Sequence, residues 1–332
     1  MRPSALSDRL DRELRDFAWD EWAQMGVLAT PRRRSVWAQD PEALVIFTLE
    51  VARDDPRLFD ELLDWLAVNE SLVNLRRLRT MCDGSEDDDL FFAVFLWLDE
   101  HRRSKEVPSS KRVDVEPLFR GLSGAISDPD PAFAAAGLLR PVVTPSGKAG
   151  TPEMREPINF AFRLRQLMGL NARSEVVRHL LTAPTPADAS TITTSAAFAR
   201  RNVRQALLSL QDAGVVAQRG KQRFSIDREG WTGLLRIGSD AIPAYRAWPQ
   251  ILGGLRKVAR WLHRPDLDAL SEYMLGSEAR DLLEGVRDLF EEAGFDVGGA
   301  PAGGAWEDLE SLIEDVLADL RLGGQGDGWI SL

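Results

Sequence analysis

One cysteine in 332 residues, Cys82, excludes an intramolecular disulfide and any zinc site built on cysteines. Histidine is nearly as scarce. His101, His179 and His263 lie far apart with no HxxxH or HExxH spacing, so no zinc-hydrolase motif exists. Neither a G-x-x-x-x-G-K-[ST] loop nor a G-x-S-x-G elbow occurs. No run approaches the ~18 consecutive apolar residues that mark a membrane span. Met1-Arg-Pro-Ser4 is not followed by the apolar stretch of a signal peptide. The run Asp87-Asp-Asp89 follows Asp83-Gly-Ser-Glu86 and reads as a solvated acidic turn rather than a cation site. These absences lead us to expect a cytoplasmic protein that is not an enzyme, spans no membrane, and has neither cofactor nor metal.

What is present supports packed cores: 44% of residues are apolar and ten are tryptophan. Arginine heavily outnumbers lysine, and Ala, Gly and Asp are frequent, a composition typical of a GC-rich bacterial genome. The distribution of charge is more informative than its total of −11. Residues 155–228 hold 12 Lys/Arg against 5 Asp/Glu, a local +7, which leaves −18 on the remainder. Residues 266–332, with 17 acidic side chains and 3 arginines, stand at −14. A basic module inside an acidic chain is the electrostatic footprint of nucleic-acid binding. The acidic end is then either a solubilising surface or a screen over the basic module.

The basic module contains the strongest pattern. After Phe198, residues Val203, Ala206, Leu207 and Leu210 recur at i, i+3, i+4 and i+7, one face of an amphipathic helix. The opposite face carries Arg201, Arg204, Gln205 and Asp212, with Arg200 on its shoulder. Leu208 also falls on that polar side, where it would meet a partner subunit or a neighbouring domain. Gly214 stands at the expected C-cap. A hairpin follows with Arg219-Gly-Lys221 at its tip, and Arg223-Phe-Ser-Ile226 alternates like a half-buried strand. Upstream, Asn171–Ala183 places Val176, Val177, Leu180 and Leu181 on one helix face. The intervening Ser190–Ser195 is a short, β-branched helix that needs tertiary support.

Phe198–Val216 resembles the second and third helices of winged-helix bacterial transcription regulators of the MarR and ArsR type, the resemblance extending over residues 157–230. It implies a winged helix-turn-helix, with one helix in the major groove and a basic wing on the phosphates. Candidate contacts to double-stranded DNA are Arg200, Arg201, Arg204 and Gln205 on the helix, and Arg219, Lys221 and Arg223 on the hairpin. Relatives often cap this helix with Ser or Thr. Here Ala199 occupies that position, so the helix starts uncapped or uses Ser195. The function implied is a sequence-specific transcriptional regulator, a repressor acting as a homodimer. Winged helices also dock proteins. The alternative is an interaction module, such as the antitoxin of a toxin–antitoxin or phage-defence operon that binds a nucleotidyltransferase-like partner.

The rest of the chain has helical period, so the expected fold class is mainly α. Residues 1–104 form an N-terminal helical domain whose opening stripe is Leu6, Leu10, Leu14 and Phe17. Residues 105–156 are a connector: eight of the eighteen prolines lie between 108 and 157, with short helices expected around Leu118 and Phe133. After the winged helix at 157–230, residues 231–332 form an acidic helical C-terminal domain.

Overall fold

The computed structural model describes residues 1–103, 115–121, 126–220, 222–238, 241–299 and 304–322, and it is mainly helical. The N-terminal part contains α1 (Pro3–Gln24), α2 (Pro41–Val51), α3 (Pro56–Asn69), α4 (Leu75–Thr80) and α5 (Ser85–Arg103). A proline-rich passage follows, with β1 (Glu116–Pro117), α6 (Pro131–Ala135) and β2 (Leu138–Leu139). The central part holds α7 (Phe160–Met168), α8 (Ala172–Thr182), β3 (Ala187–Asp188), α9 (Ala189–Ala196), α10 (Arg200–Asp212), β4 (Val216–Arg219), β5 (Arg223–Ile226) and α11 (Arg228–Leu235). Three long helices complete the chain: α12 (Trp248–Leu262), α13 (Glu272–Glu292) and α14 (Ala305–Leu322). Among the described residues, no helix is long and apolar enough to cross a membrane.

The helices at the two ends of the chain share one core. The run Ala43–Leu49 is apolar on all sides, so α2 must be surrounded, and all of its residues are buried. The Leu6, Leu10, Leu14 and Phe17 stripe of α1 packs with α2 and with α12, and α13 and α14 continue the same cluster. Helices α1–α5 and α12–α14 therefore close a single hydrophobic interior. At Gly254 the backbone of α12 lies against the ring of Phe290 on α13, where an added Cβ would stand 2.6 Å from Cζ. Each deeply buried indole finds an acceptor, as buried Trp requires: Trp22 donates to Thr48 Oγ1 (2.8 Å), Trp65 to the Met25 carbonyl (2.7 Å) and Trp248 to the Ala38 carbonyl (3.0 Å).

Two features differ from expectation. The proline-rich passage, expected as an interdomain connector with short helices, packs its described residues against the body. Leu118, Phe119 and Phe133 are buried in the main core, and the Arg140 guanidinium lies over the rings of Phe59, Phe119 and Phe133. Phe133 is in a short helix, as expected, but Leu118 follows a strand, its N–H donating to the Leu139 carbonyl at 2.8 Å. The rest of the 105–156 range, residues 105–114 and 122–125, lies outside the described residues. Asp87 is no solvated turn. It sits in α5, buried, and receives hydrogen bonds from Arg256 and Arg260 on α12.

Glu21 is buried with no cationic partner among the described residues. Burial pushes Glu21 from its ordinary 4.5 up to about 7, against the hydrogen bond it accepts from Gln39 Nε2 at 2.7 Å. The folded chain thus holds a proton here that the unfolded chain has lost, so stability falls as the pH rises from about 4.5 to about 7. Glu21→Gln keeps the shape and removes the charge. It is expected to raise stability by on the order of 2–3 kcal/mol at about pH 8 and by little at about pH 4.5. Urea unfolding at the two pH values measures this, and an equal gain at both would place the effect in packing rather than in charge.

Candidate nucleic-acid interface

The central part has its own core, formed by Val176, Val177, Leu180 and Leu181 of α8, Ile192 and Ala196 of α9, and Val203, Ala206, Leu207 and Leu210 of α10. Side-chain caps define the first two helices. Asn171 accepts from the Arg173 N–H at 2.8 Å at the start of α8, and Asp188 accepts from the Thr191 N–H at 2.9 Å at the start of α9. These caps and the buried Ile192 hold the β-branched α9 together. It ends at Ala197, whose φ of 48° is left-handed, and the chain turns into α10 within three residues. At the other end of α10, Gly214 adopts φ +71°, its N–H reaching the Gln211 carbonyl (2.8 Å) while that of Val215 reaches Leu210 (2.9 Å).

β4 and β5 then pair antiparallel, and β3 adds to the far side of β5, so the sheet order is β3-β5-β4. The hairpin turns at Gly220, φ +58°. Its register sets Arg219 directly opposite Arg223. Like charges facing across a ladder destabilise a hairpin; Asp188 of β3, opposite Arg223 on its other side, offsets part of that repulsion, and an anionic partner would offset the rest. Arg219 Nε is 3.3 Å from Ser225 Oγ, and Arg223 donates to the Pro186 carbonyl at 3.3 Å. Lys221, expected at the tip, lies outside the described residues.

Arg200, Arg201, Arg204 and Gln205 are all exposed on α10, as are Arg219 and Arg223 on the hairpin. None of these arginines makes an ion pair with a described residue. Ala199 provides no side-chain cap, so the first N–H groups of α10 stay open beside Arg200 and Arg201, a favourable end for an anion. Ser195 does not substitute, because its hydroxyl is buried 2.9 Å from His179 Nδ1. Burial beside Arg178 lowers His179 to about 4, so this contact between α8 and α9 is that of a neutral ring. Leu208 is 52% exposed. The acidic helices α13 and α14 turn their charges elsewhere: Glu314 pairs with Arg9, Asp319 with Arg246 and Glu278 with Arg264. No described residue of the acidic end pairs with an α10 or hairpin arginine.

The sequence reading missed what holds this unit. Asp40 and Glu42 at the start of α2, Arg77 of α4, Arg165 of α7, and Glu175 and Arg178 of α8 form one buried network of three acids and three arginines. Arg165 donates to both Glu42 oxygens (2.8 and 2.7 Å) and to Glu175 (2.9 and 2.7 Å). Arg178 bridges Glu175 at 2.8 Å and Asp40 at 3.1 Å. Arg77 joins Asp40 and Glu42 and donates Nε–H to the Ala196 carbonyl at 2.6 Å. Burial opposes ionisation of Glu175 and Asp40, but the surrounding guanidiniums outweigh it and hold both carboxyls below the ordinary range. The partners are up to 138 positions apart, so local spacing carried no signal of them.

Comparison with family models, with curated proteins and with solved structures finds no match to this chain.

Proposed function

We propose that residues 157–230 form a winged helix-turn-helix and that the protein is a cytoplasmic, sequence-specific DNA-binding transcriptional regulator, a repressor acting as a homodimer. The observation that carries this reading is the row Arg200, Arg201 and Arg204 on the open face of α10, exposed and without ion-pair partners among the described residues. Three further features support it: the element order α8-β3-α9-α10-β4-β5, the β3-β5-β4 sheet, and the Arg219–Arg223 pair facing across the hairpin. The α10 side chains read base edges in the major groove, Arg toward guanine and Gln205 toward adenine. The hairpin, with Lys221, holds phosphate. Dimerisation follows because one such unit reads only a few base pairs and specificity is gained from two half-sites. The reading needs no catalytic group, metal or cofactor.

The test is fluorescence anisotropy of the full chain with duplex DNA across a salt series. Binding is expected at ~50 mM salt and should weaken steeply as released counterions become less favourable. No binding at that salt would remove DNA as the ligand.

A second reading rests on Leu208 and on an open groove of about 590 Å³ between α7 and α11, where Leu167 and Leu234 are exposed beside Arg163 and Arg236. In that reading the unit docks a protein, and the chain is an antitoxin for a nucleotidyltransferase-like partner. Co-purification with such a protein encoded alongside, lost in Leu208→Glu, would favour it over DNA.

A further inference from the structure

We propose that α4, from the N-terminal part of the chain, is a second DNA-contacting element that grips phosphates flanking the groove occupied by α10. The inference rests on the DNA-binding reading above. It begins with Leu75-Arg-Arg-Leu-Arg-Thr80, three arginines in six residues with no acidic side chain.

Arg77 points inward. Its guanidinium is fully buried and its Nε–H holds the Ala196 carbonyl, the last residue of α9. Thr80 Oγ1 lies 3.2 Å from the carbonyl of Ala197, the left-handed residue of the turn into α10. At the other end of α4, Asn74 Nδ2 donates to the Leu170 carbonyl at 3.3 Å, just before α8. The short helix is thus held along the motif, from the entry of α8 to the turn before α10. The buried network fixes it there.

That anchoring decides what faces outward. Arg76, Arg79 and Thr80 stand at i, i+3 and i+4, neighbours on one helix surface, and all three are exposed. Arg76 and Arg79 make no ion pair with a described residue. Thr80 touches the turn only three residues before Arg200, which places the end of α4 beside the chain leading into α10. When the start of a recognition helix enters the major groove, the elements beside the preceding turn lie over the sugar–phosphate backbone. Arginines held there by a buried framework are pre-organised for phosphate and carry no base information. The recognition surface is therefore larger than the winged helix, and the N-terminal body supplies part of it.

The experiment uses the full-length protein and a labelled random-sequence duplex of about 30 base pairs, roughly three helical turns. Arg76→Ala/Arg79→Ala is compared with wild type, with Arg76→Lys/Arg79→Lys, and with Arg12→Ala/Arg15→Ala on α1, which removes the same charge far from the motif. The expected result is an affinity about tenfold lower at low salt and a log Kd against log salt slope shallower by about 2 for the alanine pair alone. The lysine pair should keep the wild-type slope, and all variants should melt as wild type does. A wild-type slope in the alanine pair, or an equal change in the α1 control, overturns the role of α4 and leaves the functional reading standing. Wild-type protein that fails to bind the duplex overturns that reading, and this inference with it.

Discussion

Arg77→Ala is expected to lower the stability of the protein by about 3–5 kcal/mol, the cost of leaving a buried charge without its partner. The network around Arg77 balances three carboxylates against three guanidiniums, all nearly inaccessible to water. Removing one arginine leaves a net negative charge inside. It also strips a donor from Asp40, from Glu42 and from the Ala196 carbonyl, and water cannot replace it. Arg77→Met, of similar length, should fare no better, because the loss is electrostatic and not one of volume. Urea unfolding reads the change as a lower midpoint at unchanged m-value. A loss under about 1 kcal/mol, the scale of an exposed ion pair, would show that water reaches the network. The same groups set acid behaviour. Asp40 and Glu175 have depressed folded pKa values, so their stabilisation is complete above the unfolded carboxyl value of about 4 and is lost as the pH falls through the folded values. His179 adds to that loss, since it stays neutral down to about 4 while the unfolded ring takes up its proton near 6.5.

The second large effect belongs to α10. Arg201→Ala and Arg204→Ala should each cost ~1–3 kcal/mol on a preferred sequence and far less on unrelated DNA. Both side chains are exposed one turn apart and lack ion-pair partners among the described residues, so their removal leaves nothing stranded in the protein. Arg219→Ala and Lys221→Ala should weaken every sequence alike, with a salt slope shallower by about 1 each. Competition between a selected duplex and a scrambled one separates the two behaviours. Hairpin variants that change base preference, with helix variants that do not, would reverse the assignment of groove and backbone.

Repeating apolar positions declare a helix and its inward face, which is why α1, α8 and α10 were legible in the sequence. Gly214 and Gly220 were equally legible, since positive φ is readily available only to glycine. The exposed arginines of the candidate interface followed from the same wheel: residues opposite a buried stripe face water. A period says which face is covered and not what covers it. That α1 and α2 pack on α12, α13 and α14 rather than forming a separate domain was decided by tertiary packing. So was the two-residue β3, which pairs with β5 and is too short to carry a pattern. Polar residues were hardest to place. Charge alone reads as surface, yet Arg77, Arg165, Arg178 and Asp87 are buried because opposite charges from distant segments meet them there. Arg76 and Arg77 are adjacent in the chain and alike in chemistry. Only the fold turns one to solvent and locks the other beneath the turn that leads into α10.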